Sequence, residues 1–271
     1  MPSPSVLILD SGIGGLSVTR EIRTHCPYLH IDYLADLAAF PYGIKSEEQI
    51  ISRVTTLVDK LGKSLQPSVI VVACNTASTV ALDAIRQQTR TPVVGVVPAI
   101  KPAAAMSETG IIGVLATEGT VNRRYTHQLI REFAQSRTVV LHGSSQLVHL
   151  AEQKLRNVPF PPEAVQQELI PLFDKAPEMD TVVLACTHFP LLKNEFAASF
   201  PQVKFWVDSG LAIAKRVEHL LSAQGIITAV DAIPANQNEL NKFYVTTDTD
   251  RYDQSALAAL LGNFEAEIIA I

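Results

Sequence analysis

Short runs of β-branched residues return along the chain at intervals that leave room for a helix between them, and this alternation narrows the fold more than any other feature. The runs are VLILD at 6–10, HIDYLA at 30–35, VIVVA at 69–73, PVVGV at 92–96, IIGVL at 111–115, TVVL at 138–141, TVVLA at 181–185 and VKFWV at 203–207. Between them lie helical patterns such as Glu47 to Leu65 and Gly119 to Ala134, with leucine, isoleucine and valine at spacings of three and four. Strand, helix, strand, repeated, predicts a parallel α/β fold. Continuous apolar strands predict sheets covered on both faces, with ligands gathered at the carboxyl ends of the strands.

The sequence also repeats itself. VIVVACNTAS at 69–78 returns as TVVLACTHFP at 181–190, which sets Cys74 and Cys186 112 residues apart at matching places. A shift of 106 residues lays LILDSG at 7–12 loosely beside GVLATEG at 113–119, with Asp10 opposite Ala116 and Ser11 opposite Thr117. Prolines at 92, 98 and 102 mark a crossing between lobes, and VDSG at 207–210 a return. The expected architecture is α/β, with two pseudo-symmetric parallel-sheet lobes and the active site in the cleft between them. The first lobe is discontinuous, 1–97 plus 209–271, and the second covers 98–208. The stretch GIITAVDAIPANQNEL at 225–240 fits no element.

Composition removes several classes of function. With a formal charge of −5 and no run of Lys and Arg, the chain offers nothing to a phosphate backbone, so no nucleic-acid partner is expected. No apolar run approaches bilayer length, and the start, MPSPSVLILDSG, lacks the basic flank and long apolar stretch of a secretory signal. A cytoplasmic protein without membrane contact is expected. Three cysteines, Cys26, Cys74 and Cys186, are an odd number that a reducing compartment keeps as thiols.

Cys26, in THCPYLH, reads as a small buried hydrophobe. Cys74 and Cys186 differ, because each stands where a strand hands over to a helix and is followed by polar residues that a core does not need: Asn75 and Thr76 after one, Thr187 and His188 after the other. A helix amino terminus stabilises a thiolate and attracts a carboxylate. A nucleophile with a base leaves the second cysteine unexplained, and a dithiol couple places its cysteines close in sequence. Zinc held by Cys74, Cys186, His188 and Asp10 conflicts with the Cys-x-His spacing, so no metal is expected. Proton transfer at a carbon, one thiol on each face, uses both.

DSGIGG at 10–15 follows a strand, but Ser17 stands where a dinucleotide fingerprint needs its third glycine. The turn reads instead as a place where backbone N–H groups and the Ser11 hydroxyl approach a small anion, with Asp10 placed to take or lend a proton. In FPYGIKSEEQI at 40–50, Ser46 caps a helix, and Tyr42 and Gly43 read on their own as turn residues. Glu152 reads as a solvated helix residue.

In order and spacing, LDSGIGGLSV, FPYGIKSEEQI, ACNTASTVAL, PVVGVVPAIKPA, LATEGTV and ACTHFPLL closely resemble the glutamate racemases, within the aspartate/glutamate racemase superfamily, from about residue 6 to about 222. The resemblance implies an isomerase that interconverts L- and D-glutamate without pyridoxal phosphate or metal and supplies D-glutamate for peptidoglycan, and hence for cell-wall biogenesis and cell shape. It implies that Cys74 and Cys186 exchange the proton, with Asp10 assisting Cys74 and His188 assisting Cys186. It assigns substrate contacts to Asp10, Ser11, Tyr42, Gly43, Asn75, Thr76, Thr187 and His188, and more distantly implicates Asp36, Glu152 and, through the repeat, Thr117. Ala185 and Phe189 stand where glycine and tyrosine are common around the second cysteine. The partner is a small molecule, glutamate, and a homodimer is compatible with the sequence. Aspartate racemase, another racemase of the superfamily, and a two-lobed amino-acid binder are the alternatives.

Overall fold

All eight apolar runs form strands, because residues with a branched Cβ pack well on a pleated surface that is buried. They are β1 (Ser5–Asp10), β2 (His30–Ala35), β3 (Val69–Val72), β4 (Val93–Gly95), β5 (Ile111–Ala116), β6 (Thr138–Gly143), β7 (Thr181–Leu184) and β8 (Phe205–Val207). Two further strands, β9 (Asn241–Val245) and β10 (Phe264–Ile268), go beyond the sequence reading. The computed structural model describes residues 4–226, 241–248 and 264–269, so 227–240 of the stretch that fits no element lie outside the described residues. Two compact units are present, one drawn from Met1–Val96 and Gly210–Ile271 and the other from Val97–Ser209.

The first unit holds a sheet of order β10-β9-β2-β1-β3-β4 and the second a sheet of order β6-β5-β7-β8, and every pairing is parallel. The block β2-β1-β3-β4 of the first sheet, which ends at its β4 edge, therefore has the same order as the whole of the second. Leu9 lies opposite Val72 in one and Leu115 opposite Leu184 in the other, so the shifts of 106 and 112 residues seen in the sequence relate paired strands. The Ala73 N–H donates to the Leu9 carbonyl at 2.7 Å, and the Ala185 N–H to the Leu115 carbonyl at 2.8 Å. Both cysteines thus leave their sheets from the equivalent place. Val69 to Val72 are fully buried, as a strand between two neighbours and two covered faces requires.

Three helices place the first unit's polar residues: α1 (Leu16–His25), α2 (Glu47–Leu65) and α3 (Asn75–Gln88). Helix α2 has the expected limits and buries Ile50, Val54, Leu57, Val58 and Leu61 on one face. Its start is a reciprocal cap, in which Ser46 Oγ accepts from the Gln49 N–H at 3.3 Å and Gln49 Oε1 accepts from the Ser46 N–H at 3.1 Å. The single helix expected over 119–134 is two, Glu118–Asn122 and Arg124–Phe133, because Arg123 is extended (φ −70°, ψ 138°) and ends one while starting the other. Among the described residues, no helix is long and apolar enough to cross a membrane.

Asp180, just before β7, pins the turn that leads into β5. Its carboxylate accepts from Ser107 Oγ at 2.8 Å, the N–H groups of Glu108 and Thr109 at 2.7 and 3.0 Å, and Thr181 Oγ1 at 2.9 Å. Burial works against its charge, but these hydrogen bonds outweigh burial and hold the pKa at about 2, below the ordinary 3.8. A carboxyl whose folded pKa is depressed stabilises fully above its unfolded pKa and loses that contribution as the pH falls through the folded one. Asp180→Asn should therefore cost the second unit about 2 kcal/mol at neutral pH. In urea unfolding, the gap between wild type and variant should narrow between about pH 7 and about pH 3. A gap of equal size at both pH values would assign the loss to packing instead.

Candidate active site

In the first unit, the carboxyl ends of β1 and β3 bring Asp10, Ser11 and Cys74 together. Asp10 is fully buried, and its Oδ2 accepts from the Gly15 N–H at 2.8 Å. Gly15 is required there by close approach: a Cβ would meet Tyr33 Oη at 2.7 Å and Asp10 Cβ at 2.9 Å. The glycine turn expected to cradle an anion therefore spends this N–H on Asp10. The Cys74 thiol is 5% exposed, occupies the capping position of α3, and donates to Ser11 Oγ at 3.7 Å. Asn75 and Thr76 open the helix and are buried, and the Asn75 amide nitrogen has no hydrogen-bond partner among the described residues. A buried, unsatisfied donor beside a helix amino terminus is complementary to a carboxylate.

Tyr42 and Gly43 lie in a 3₁₀ turn, Tyr42–Ile44, whose placement depends on Asp36. The Tyr42 hydroxyl donates to Asp36 Oδ2 at 2.6 Å. Burial first, and then the Asp36 charge, push the phenol well above its ordinary pKa, so Tyr42 stays a donor.

The second unit sets Cys186, Thr187 and His188 past the end of β7, all buried. Here the sequence reading needs correction, since Cys186 is followed not by an α-helix but by a 3₁₀ turn, Phe189–Leu192. Pro190 is the reason: it lacks the N–H that an α-helix starting there would give to the Cys186 carbonyl. The turn closes through shorter bonds, Phe189 N–H to the Cys186 carbonyl at 3.0 Å and Leu191 N–H to that of His188 at 3.1 Å. An imidazole takes the place of the helix end. His188 Nδ1 lies 3.9 Å from Cys186 Sγ, and its Nε2 lies 2.7 Å from Glu152 Oε1. Burial opposes protonation of this ring, but its bonds to Cys186 and Glu152 and their charges prevail and hold it well above the ordinary histidine range.

Glu152 is 5% exposed, not the solvated residue its helix suggested. It belongs to the buried face of Gln146–Leu155 with Val148, Ala151 and Leu155, and a carboxylate on that face is the signal that singles it out. Thr117 caps Glu118–Asn122, accepting from the Thr120 N–H at 3.3 Å and donating to Thr120 Oγ1 at 3.1 Å. Arg53 and Thr246, which bind Asp36, have no sequence signal: an arginine on an amphipathic helix reads as solvated, and Thr246 lies beyond the family resemblance. Cys26 is buried as expected, beside the His25–Glu218 hydrogen bond (2.9 Å), and burial raises its thiol pKa. Among the described residues, His25, Cys26 and Glu218 form the one group close enough to share a metal ion, and it contains neither Cys74 nor Cys186.

The sequence and the fold resemble those of known proteins. The sequence is 47% identical to the glutamate racemase of Klebsiella pneumoniae (strain 342) over 250 residues, covering 92% of this chain and 87% of that one. It is 49% identical to the glutamate racemase of Pasteurella multocida (strain Pm70) over 243 residues, covering 90% and 87%. Among solved structures, Escherichia coli glutamate racemase in complex with L-glutamate and the activator UDP-MurNAc-Ala superposes with a TM-score of 0.89 at 43% identity, over 99% of each chain. The glutamate racemase isoform RacE1 of Bacillus anthracis does so with a TM-score of 0.82 at 28% identity, over 99% of this chain and 98% of that one. The profile of Asp/Glu/Hydantoin racemases matches residues 6–217, and the chain belongs to that family.

Proposed function

We propose that the protein racemises glutamate without a cofactor, using Cys74 and Cys186 as the two proton-transfer groups. The observation that carries the reading is the duplicated placement of the cysteines, each two residues past the end of the equivalent strand in a four-strand block of the same order. That glutamate is the substrate is supported by the relatives at 47 and 49% identity. The proposed reaction treats the chain as two lobes, 1–97 plus 209–271 and 98–208, each supplying one cysteine.

In the proposed reaction, the thiolate of one cysteine takes the α-proton, so that the C–H bond breaks as an S–H bond forms. The thiol of the other gives its proton to the opposite face of the carbanion. The enzyme is left with the two protonation states exchanged, ready for the other enantiomer. Asp10 serves Cys74, and the His188–Glu152 pair serves Cys186. Ser11, the Tyr42–Gly43 turn, Asn75, Thr76 and Thr187 bind the substrate's charged groups, Asn75 through its unpartnered amide nitrogen. The product is D-glutamate, supplied in the cytoplasm for peptidoglycan.

The direct test is incubation of metal- and pyridoxal-free protein with L-glutamate in D₂O, which should yield D-glutamate carrying deuterium at Cα. Turnover of L-aspartate in preference to L-glutamate would reassign the substrate. Cys74→Ala and Cys186→Ala should each lower kcat by about a hundred- to ten-thousand-fold, the usual worth of a positioned acid or base. Cys26→Ala should retain wild-type turnover, and an equal loss in all three variants would defeat the assignment.

The pH dependence should report His188. A raised folded pKa keeps the imidazolium present to higher pH, and its contribution ends as the pH rises through that pKa. Glu152→Gln removes the charge and leaves only a weaker, neutral hydrogen-bond acceptor, and both changes lower the His188 pKa, so the alkaline limb of the kcat/KM profile should move to lower pH. An unmoved limb would show that His188 does not act as an imidazolium.

A further inference from the structure

The Asp36 carboxylate is fully buried and accepts four hydrogen bonds, two on each oxygen. Oδ1 accepts from Arg53 Nη2 at 2.7 Å and Thr246 Oγ1 at 2.8 Å, and Oδ2 accepts from Arg53 Nε at 2.9 Å and the Tyr42 hydroxyl at 2.6 Å. An ionised carboxylate has about four acceptor positions, so none remains for a substrate proton. The group acts as a joint. Arg53 reaches it from α2 with a two-pronged fork, and Thr246 reaches it from the residue after β9. Thr246 Oγ1 also accepts from the Ala38 N–H at 2.9 Å, and the Asp36 N–H donates to the Asp10 carbonyl at 2.9 Å.

From this geometry we infer that Arg53 and Thr246 are positioning residues for substrate binding, which act through Asp36 to hold the Tyr42–Gly43 turn in place beside Asp10. The inference deepens the proposed function and rests on it for the identity of the ligand. Helix α2 and the returning carboxyl-terminal strand are thereby made part of the substrate site without touching substrate. Of the four bonds on Asp36, Arg53 and Thr246 supply three, and only the fourth, from Tyr42, belongs to the turn itself. Loss of one bond to a buried charge changes an equilibrium by about tenfold or more.

The test uses the full chain and two conservative pairs. T246V keeps the shape of Thr246 and removes its hydroxyl, while T246S returns the hydroxyl. R53K keeps the charge of Arg53 and removes the fork, and serves as the second variant if T246V folds poorly. T246V should raise KM for both glutamate enantiomers about tenfold with a much smaller change in kcat, and T246S should restore the wild-type value. Amide hydrogen exchange across residues 37–45 should quicken about tenfold in T246V and R53K and stay near wild type in T246S, with α3 unchanged. Exchange at 37–45 equal to wild type in both T246V and R53K would overturn the inference, as would a fall in kcat with KM unmoved. If wild-type protein leaves the α-proton of glutamate in place, the functional reading fails by itself, and the exchange comparison still decides the positioning.

Discussion

Parallel strands end at one edge of their sheet, and the residues just past that edge still lie within the covered interior while the hydrogen-bond ladder has stopped. Polar groups there must find partners among themselves or in a ligand. The pairing of β1 with β3 makes that edge from Asp10, Ser11 and Cys74, and the pairing of β5 with β7 makes it from Ala116, Thr117 and Cys186. A one-residue slip of β3 would turn its side chains to the other face, so the register that sets Val72 opposite Leu9 decides which face Cys74 meets. The positions of both thiols follow from strand register more than from any local contact.

The two units differ in what surrounds the thiol. Cys74 stands at the start of a fourteen-residue helix, whose positive amino-terminal dipole favours negative charge. Cys186 is followed first by a tight 3₁₀ turn, because of Pro190, with the α-helix Lys193–Ser199 starting only beyond it, and it relies on His188 and, behind that, Glu152. A fixed dipole does not titrate, whereas an imidazolium does. One fold, used twice, supports its thiols by two kinds of electrostatics.

Much of this was legible in the sequence where one residue type admits few environments. Short runs rich in Val, Ile and Leu marked eight strands, and Ser46 marked the start of α2. The break at Arg123 was not legible, since an extended arginine between two short helices interrupts no apolar periodicity. Strands β9 and β10 lay beyond the reach of the eight-run pattern; Asn241–Val245 holds only three apolar residues. The site followed the same division. Cys74 and Cys186 declared themselves by repetition. Glu152, Arg53 and Thr246 owe their roles to partners distant in sequence: 36 residues separate Glu152 from His188, and 210 separate Thr246 from Asp36.

That last separation bears on how the chain is made. On the ribosome, residues 97–209 emerge complete while the first unit still lacks β9, so the second unit can fold before the first is finished. Asp36 waits, with Arg53 already available, for a hydroxyl that arrives 210 residues later. The Tyr42 turn therefore cannot be fully secured until residue 246 has been made, and a nascent chain stalled before it would carry both cysteines with the turn beside Asp10 still short of its last anchor.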